Sequence, residues 1–171
     1  MSRMSYIAPP IPALTDAEGR AIDFSEAMLW AGDLVVAASR VRMSTILGSC
    51  VSVCLFDAAR RFGGMNHYLV PRGGRTSIHG DWSVPRLIER MVQLGSTIDS
   101  LQGKIFGGGC PLRLANESHA VGAGNVAVAR EILGENGIPI VSERVGHGAG
   151  VRLFFENWTG VVWLKAHAES H

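Results

Sequence analysis

The sequence predicts a single α+β domain built from two helices and several short strands. Two segments, VPRLIERMVQL and VAVAREIL, carry apolar residues at helical spacing. Several short runs, among them VSVCLF, IPIVSERV, VRLFFEN and GVVWLKA, have the length and the β-branched and aromatic content of strands. The 21 glycines, well above the usual share, cluster at the ends of these runs and mark tight turns. Helices and strands do not alternate regularly, which separates the chain from a βαβ series.

Taken in order, residues 1 to about 22 read as a Pro-rich, then polar, arm. Asp23 or Ser25 is placed to cap a short helix, FSEAMLWA, that ends at Gly32, and LVVAA follows as a strand. Val51 to Phe56 is nearly all apolar and reads as a buried strand. Asp57 to Arg61 is a turn, and Phe62 to Val70 is a second strand in which Gly63 and Gly64 signal a bulge or a close backbone approach. Asp81 and Ser83 precede the first helix, whose face is Leu87, Ile88, Met91, Val92 and Leu94 and which Gly95 ends. Lys104 to Phe106 runs as a strand into Gly107, Gly108 and Gly109, and a polar loop, RLANESHA, follows. Asn125 then caps the second helix, closed by Gly134, before the three final strands.

Composition excludes several function classes. At 171 residues, with 47% hydrophobic and 18% charged residues, the chain is an ordinary globular one that can bury a core. A net charge of +1 and no basic stripe argue against nucleic-acid binding. The longest apolar stretches are too short to cross a bilayer, and the Pro-interrupted N-terminus does not read as a signal peptide. Three cysteines, Cys50, Cys54 and Cys110, read as reduced thiols of a cytoplasmic protein.

The chemistry concentrates between Ser44 and Pro71. Cys50 follows a Gly48-Ser49 turn at the mouth of one apolar run, and His67 lies near the end of the next. A thiol of ordinary pKa is only a few per cent thiolate at pH 7, so a nearby imidazole that takes its proton turns it into a nucleophile. Antiparallel pairing decides whether the two meet. A two-residue turn at Ala58-Ala59 sets Cys50 directly opposite His67, at roughly 5 Å between Cβ atoms. A four-residue turn sets His67 opposite Ser52, still on the face of Cys50. A three-residue turn separates the faces unless a bulge at Gly63-Gly64 restores them.

Two rival motifs are weaker. Gly122-Ala-Gly124-Asn-Val-Ala127 matches the glycine pattern of a dinucleotide-binding turn, with Glu143 about 20 residues on, but lacks the strand before it. Cys50, Cys54, His67 and Cys110 lack the paired spacing of a zinc site. No cofactor or metal is expected.

The runs LGSCVSVCLFD and FGGMNHYLVP resemble the signature of the CheD family of chemoreceptor glutamine deamidases. The similarity continues through HGDWSVPRLIERMVQLG, KIFGGG, VGAGN, NGIPIVSERVGHGAG and VRLFF, in order, over residues 29 to 165 or so. It implies a 1–28 extension, a 29–165 deamidase domain with mixed and antiparallel β layers against the two helices, and a 166–171 polar tail. It makes Cys50 the nucleophile, His67 the general base and acid, and a hydroxyl six positions before the cysteine, here Ser44, the third member. Thr45, of the residue type usual in the family, is the alternative. Backbone amides near Gly48, Ser49 and Cys50 would hold the oxyanion. The implied reaction converts receptor glutamines to glutamates through a thioester. Chemoreceptor cytoplasmic domains and a CheC-type phosphatase are the implied partners, and a purely regulatory binding module is the rival reading. The sequence departs from the family pattern at Val151, where a basic residue is common, and at Gly124, where an arginine is.

Overall fold

A computed structural model describes residues 18–21, 23–110 and 116–167. Among these residues, nine strands form two sheets, and two α-helices cover one of them. In chain order the elements are β1 (Ser25–Met28), β2 (Leu34–Ala37), β3 (Val41–Leu47), β4 (Val51–Asp57), β5 (Phe62–Asn66), α1 (Gly80–Gln93), β6 (Leu101–Gly107), α2 (Asn116–Glu135), β7 (Ile140–Val145), β8 (Val151–Glu156) and β9 (Val162–Ala166). One sheet runs β1-β3-β8-β9 and the other β2-β5-β4-β6-β7. The α+β class and the β layers against two helices are therefore as expected.

Strand alternation sorts side chains into two cores. Val51, Val53 and Leu55 of β4 point toward the helices, where they meet Val84, Leu87 and Met91 of α1 and Val126, Ala129 and Leu133 of α2. Cys54 and Phe56, on the opposite face of β4, join Met43, Leu47, Leu153 and Phe155 between the two sheets. The layers thus run helices, five-stranded sheet, four-stranded sheet. Paired glycines let β5 fit between β2 and β4. A Cβ on Gly63 would lie 2.4 Å from the Leu55 carbonyl oxygen, and one on Gly64 would lie 2.5 Å from Val36. The glycines mark close approach, and β4 and β5 pair without a bulge.

The β4–β5 turn has four residues, with Asp57 paired to Phe62 and Arg61 in the left-handed region at φ 58°. Asp57 organises it. Its fully buried carboxylate accepts from the Ala59 and Arg60 amides at 3.0 and 2.9 Å and from the Ser96 and Ser100 hydroxyls at 2.6 and 2.9 Å.

Several expectations change, and the strand expected over Phe62 to Val70 ends at Asn66. FSEAMLWA is not a helix: Ser25–Met28 is strand β1, parallel to β3. So short a helix is marginal alone, whereas the strand satisfies its backbone on β3 and buries Ala27 and Leu29 between the sheets. This strand lies inside the span assigned to the extension; the Pro-rich residues 1–17 fall outside the described ones. Val41–Leu47 is a strand that the sequence reading did not single out. The first helix begins at Gly80, ahead of Ser83, and leaves Val92 and Leu94 exposed. Asn125 is not a helix cap, because α2 already starts at Asn116 and takes in part of the expected polar loop. Gly122 and Gly124 sit within that helix, where a Cβ on Gly122 would lie 2.6 Å from the Gly108 carbonyl oxygen. Close packing there overrides the low helix propensity of glycine. The dinucleotide-binding turn is therefore absent at these glycines. Gly134 also lies inside α2, and Gly137, at φ 68°, follows its end.

Burial alone would raise the Asp57 carboxyl, but hydrogen bonds from Ser96, Arg60 and Ser100 outweigh it and hold it below its ordinary value. A lowered folded-state value means stabilisation that is present above the unfolded pKa and lost as pH falls through the folded one. Asp57→Asn is expected to cost about 1–3 kcal/mol at pH 7. In urea unfolding, the gap to the parent protein should narrow as the pH is taken down from about 5 toward 2.

Candidate active site

The site is assembled at one end of the layer between the sheets. The β4–β5 register continues past the strand proper, with Val51 bridged to Tyr68, so that Ser52 stands opposite His67. Cys50 and Ser52 alternate onto the same face, and Cys50 is the diagonal neighbour of His67. Diagonal neighbours of this kind are roughly 7–8 Å apart, within reach of long side chains. The four-residue turn therefore puts Cys50 and His67 on one face, as that alternative anticipated.

His67 is held through its backbone and through one ring nitrogen. Its backbone N–H donates to the Asp33 carbonyl at 3.0 Å, and its carbonyl accepts from the Gly32 amide at 2.8 Å. Next to it, Asn66 is fully buried; its Oδ1 takes the Val53 amide at 2.8 Å and its Nδ2 donates to Ser83 Oγ at 3.0 Å. The ring meets the second sheet through Thr45, whose Oγ1 lies 2.8 Å from Nδ1. Thr45 Oγ1 also donates its only proton to the Leu29 carbonyl at 2.8 Å. The hydroxyl can then only accept from the ring, so Nδ1 carries the hydrogen and Nε2 is the basic nitrogen. Nε2 is buried and has no protein partner.

Thr45, not Ser44, makes this contact. In β3, Thr45 points inward and is 1% exposed, whereas Ser44 alternates to the outer face, in a cross-strand row with Met28 and Phe154. A count of six positions back from Cys50 selects the wrong face of a strand that the sequence reading had not recognised.

Burial shifts both groups toward their neutral forms. Burial pushes the Cys50 thiol up, opposed in part by its own backbone N–H. Burial pulls His67 down, opposed by the Leu29 carbonyl and the Asp33 carboxylate. A raised thiol beside a lowered imidazole favours an uncharged pair over a preformed thiolate–imidazolium.

The turn before Cys50 is fixed through its carbonyls. Gly48 O accepts from the Gly109 amide at 2.9 Å and Cys50 O from the Gly108 amide at 2.8 Å. Gly107 and Gly108 have φ of 100° and 64°, and a Cβ on Gly107 would lie 2.2 Å from Cys50 O. The triple glycine thus serves as a backbone clamp on the cysteine turn. Ser49 O accepts from Asn125 Nδ2 at 2.9 Å, as does Leu69 O. Asn125, Asn66 and Asp33 were not picked out from sequence as part of the site. The one available signal was a polar residue inside an apolar stretch, as in MNHYLV.

The other thiols stand apart. Cys54 is buried in the intersheet core and held far above the usual thiol range by burial. Cys110 is half-buried, with its amide on the His147 carbonyl. Among the described residues, no three His, Cys, Asp or Glu side chains are grouped to hold a metal. None of the helices among those residues is long and apolar enough to cross a membrane.

Iodoacetamide should modify half-buried Cys50 at least tenfold faster than fully buried Cys54. Because the Cys50 thiol is raised, its rate should keep climbing above about pH 8.5 rather than level off below it. Peptide mass mapping over a pH series reads both.

The CheD family model, described as CheD chemotactic sensory transduction, matches residues 72–166. That span begins after His67, but the curated relatives reach further. A protein of Anaeromyxobacter dehalogenans named probable chemoreceptor glutamine deamidase CheD 1 is 35% identical over 96% of this chain and 99% of its own length. A probable chemoreceptor glutamine deamidase CheD of Rhodospirillum rubrum is 39% identical over 78% of each chain. One of Sulfurimonas denitrificans with the same name is 33% identical over 84% of this chain and 96% of its own. On the family model and on these relatives, the chain belongs to the CheD family.

Proposed function

We propose that this chain is a chemoreceptor glutamine deamidase, with Cys50 as nucleophile, His67 as general base and acid, and Thr45 as the hydroxyl that orients His67. The observation that carries the mechanism is the chain Leu29 carbonyl, Thr45 hydroxyl, His67 imidazole. It fixes the ring tautomer and leaves a buried, unpartnered Nε2 on the face of Cys50. The names of the relatives supply the substrate class.

Starting from a neutral pair, His67 Nε2 takes the thiol proton as Cys50 Sγ attacks the amide carbon of a glutamine side chain. The carbonyl oxygen becomes an oxyanion, stabilised by backbone N–H groups of the Gly48–Cys50 turn. The imidazolium is supported by Thr45 and attracted by the Asp33 carboxylate. It returns its proton to the departing nitrogen, ammonia leaves, and a γ-glutamyl thioester remains. Water then gives a proton to Nε2 and attacks the thioester carbon. The C–S bond breaks, the proton passes to sulphur, and glutamate is released. The reaction as written consumes only water.

The receptor's cytoplasmic domain is the macromolecular partner on this account, in the cytoplasm, and a CheC-type phosphatase is a further one. A docking-only role would have no use for a fixed histidine tautomer beside a cysteine, which is why the catalytic reading is preferred.

Incubation with a chemoreceptor cytoplasmic fragment should yield the small mass gain of Gln to Glu at specific sites. Cys50→Ala and His67→Ala should abolish it, and equal conversion by parent and Cys50→Ala would remove the deamidase reading. Thr45→Val removes a hydrogen bond to a group that becomes charged, and should slow turnover roughly 10- to 100-fold. Ser44→Ala, on the outer face, should stay within about twofold of the parent rate.

A further inference from the structure

Asn125 lies in the middle of α2, fully buried. Its Nδ2 spends both hydrogens on main-chain carbonyls, Ser49 O and Leu69 O, each at 2.9 Å. Those two acceptors fix the amide orientation, since the flipped side chain would set oxygen against both carbonyls. Its own carbonyl accepts the Tyr68 hydroxyl at 2.5 Å. One helical residue therefore ties together the peptide before Cys50 and the segment that carries His67.

The consequence for Cys50 follows from peptide geometry. Among the described residues every peptide bond is trans, so each carbonyl and the next N–H point in opposite directions. With the Ser49 carbonyl drawn toward α2, the Cys50 N–H is turned away from the helix. That directs it to the intersheet side, where the Cys50 side chain packs; burial raises the thiol, and this N–H opposes the rise. The following peptide is locked too, by the Gly108 amide on Cys50 O. Asn125 Oδ1 is buried without a donor. A buried unpaired acceptor is unfavourable, and an aliphatic side chain of similar size would not carry that cost.

We propose that Asn125 is a positioning residue that aims the Cys50 backbone N–H at the oxyanion formed during attack on the glutamine amide. This rests on Cys50 as the nucleophile. It predicts a defect confined to steps that develop an oxyanion, and alkylation at a saturated carbon develops none.

The test compares parent, Asn125→Asp, Asn125→Leu and Cys50→Ala on a receptor cytoplasmic fragment, with kcat and KM from mass spectrometry and Cys50 alkylation by iodoacetamide alongside. For both Asn125 variants kcat should fall roughly 10²- to 10³-fold, as for loss of one oxyanion donor, with KM and the alkylation rate within about threefold of parent. Asn125→Asp should lose further activity as pH rises, because only the protonated carboxyl has a hydrogen for Ser49 O. The assignment is overturned if kcat stays within about threefold of parent. It is also overturned if alkylation falls in step with kcat, or if both variants fail to fold by circular dichroism, which would make Asn125 a purely structural tie. Full turnover by Cys50→Ala would instead remove the underlying nucleophile assignment. An inactive Cys50→Ala beside fully active Asn125 variants would sink the positioning role alone.

Discussion

The pairing register between β4 and β5 is the constraint on which the site depends. Side chains alternate along a strand, so a slip of one residue would turn His67 toward the helices while Cys50 still faced the second sheet. The register is set at the far end of the hairpin, where buried Asp57 holds the Ala59 and Arg60 amides and two serine hydroxyls. Arg61 accepts a left-handed conformation to complete the turn. A structural carboxylate thus decides the geometry of a thiol and an imidazole that it never touches.

Each layer then adds one thing to that pair. The four-stranded sheet supplies Thr45 and the Leu29 carbonyl, which choose the tautomer of His67. Gly108 and Gly109, just after β6, and helix α2 hold the turn at Cys50 through its carbonyls. The interior supplies desolvation, which raises the Cys50 thiol and lowers the His67 imidazole and so favours the uncharged pair. The pair's environment matters more than its spacing. Two residues on adjacent strands become a potential catalytic unit only when a third group fixes which ring nitrogen is free.

Much of this was legible in sequence where a local pattern has one physical outcome. The α1 segment has an apolar face and a terminating glycine, and Cys50 and His67 stand at the ends of unmistakably apolar runs. What failed depended on long-range contact. Ser25–Met28 has no strand signal of its own and becomes a strand because β3 offers an edge. Gly122 and Gly124 look like helix breakers, yet α2 runs through them because a bare backbone there can meet Gly108 at the first and Pro71 at the second. The choice between Ser44 and Thr45 required knowing that Val41–Leu47 is a strand and which of its faces is inward, and neither is written in the spacing to Cys50. Asn125 read as a cap for the same reason that it ties the site together: its amide satisfies main-chain groups, and sequence alone does not say whose.

The central claim is that Thr45 holds His67 as the neutral Nδ1–H tautomer, with Nε2 free for the thiol. Long-range ¹H–¹⁵N correlation spectra of ¹⁵N-histidine-labelled protein at neutral pH measure this directly. The account predicts a protonated-type shift at Nδ1 and an unprotonated-type shift at Nε2 for His67, an assignment lost in Thr45→Val. An Nε2–H tautomer, or a ring protonated at both nitrogens at that pH, would contradict it.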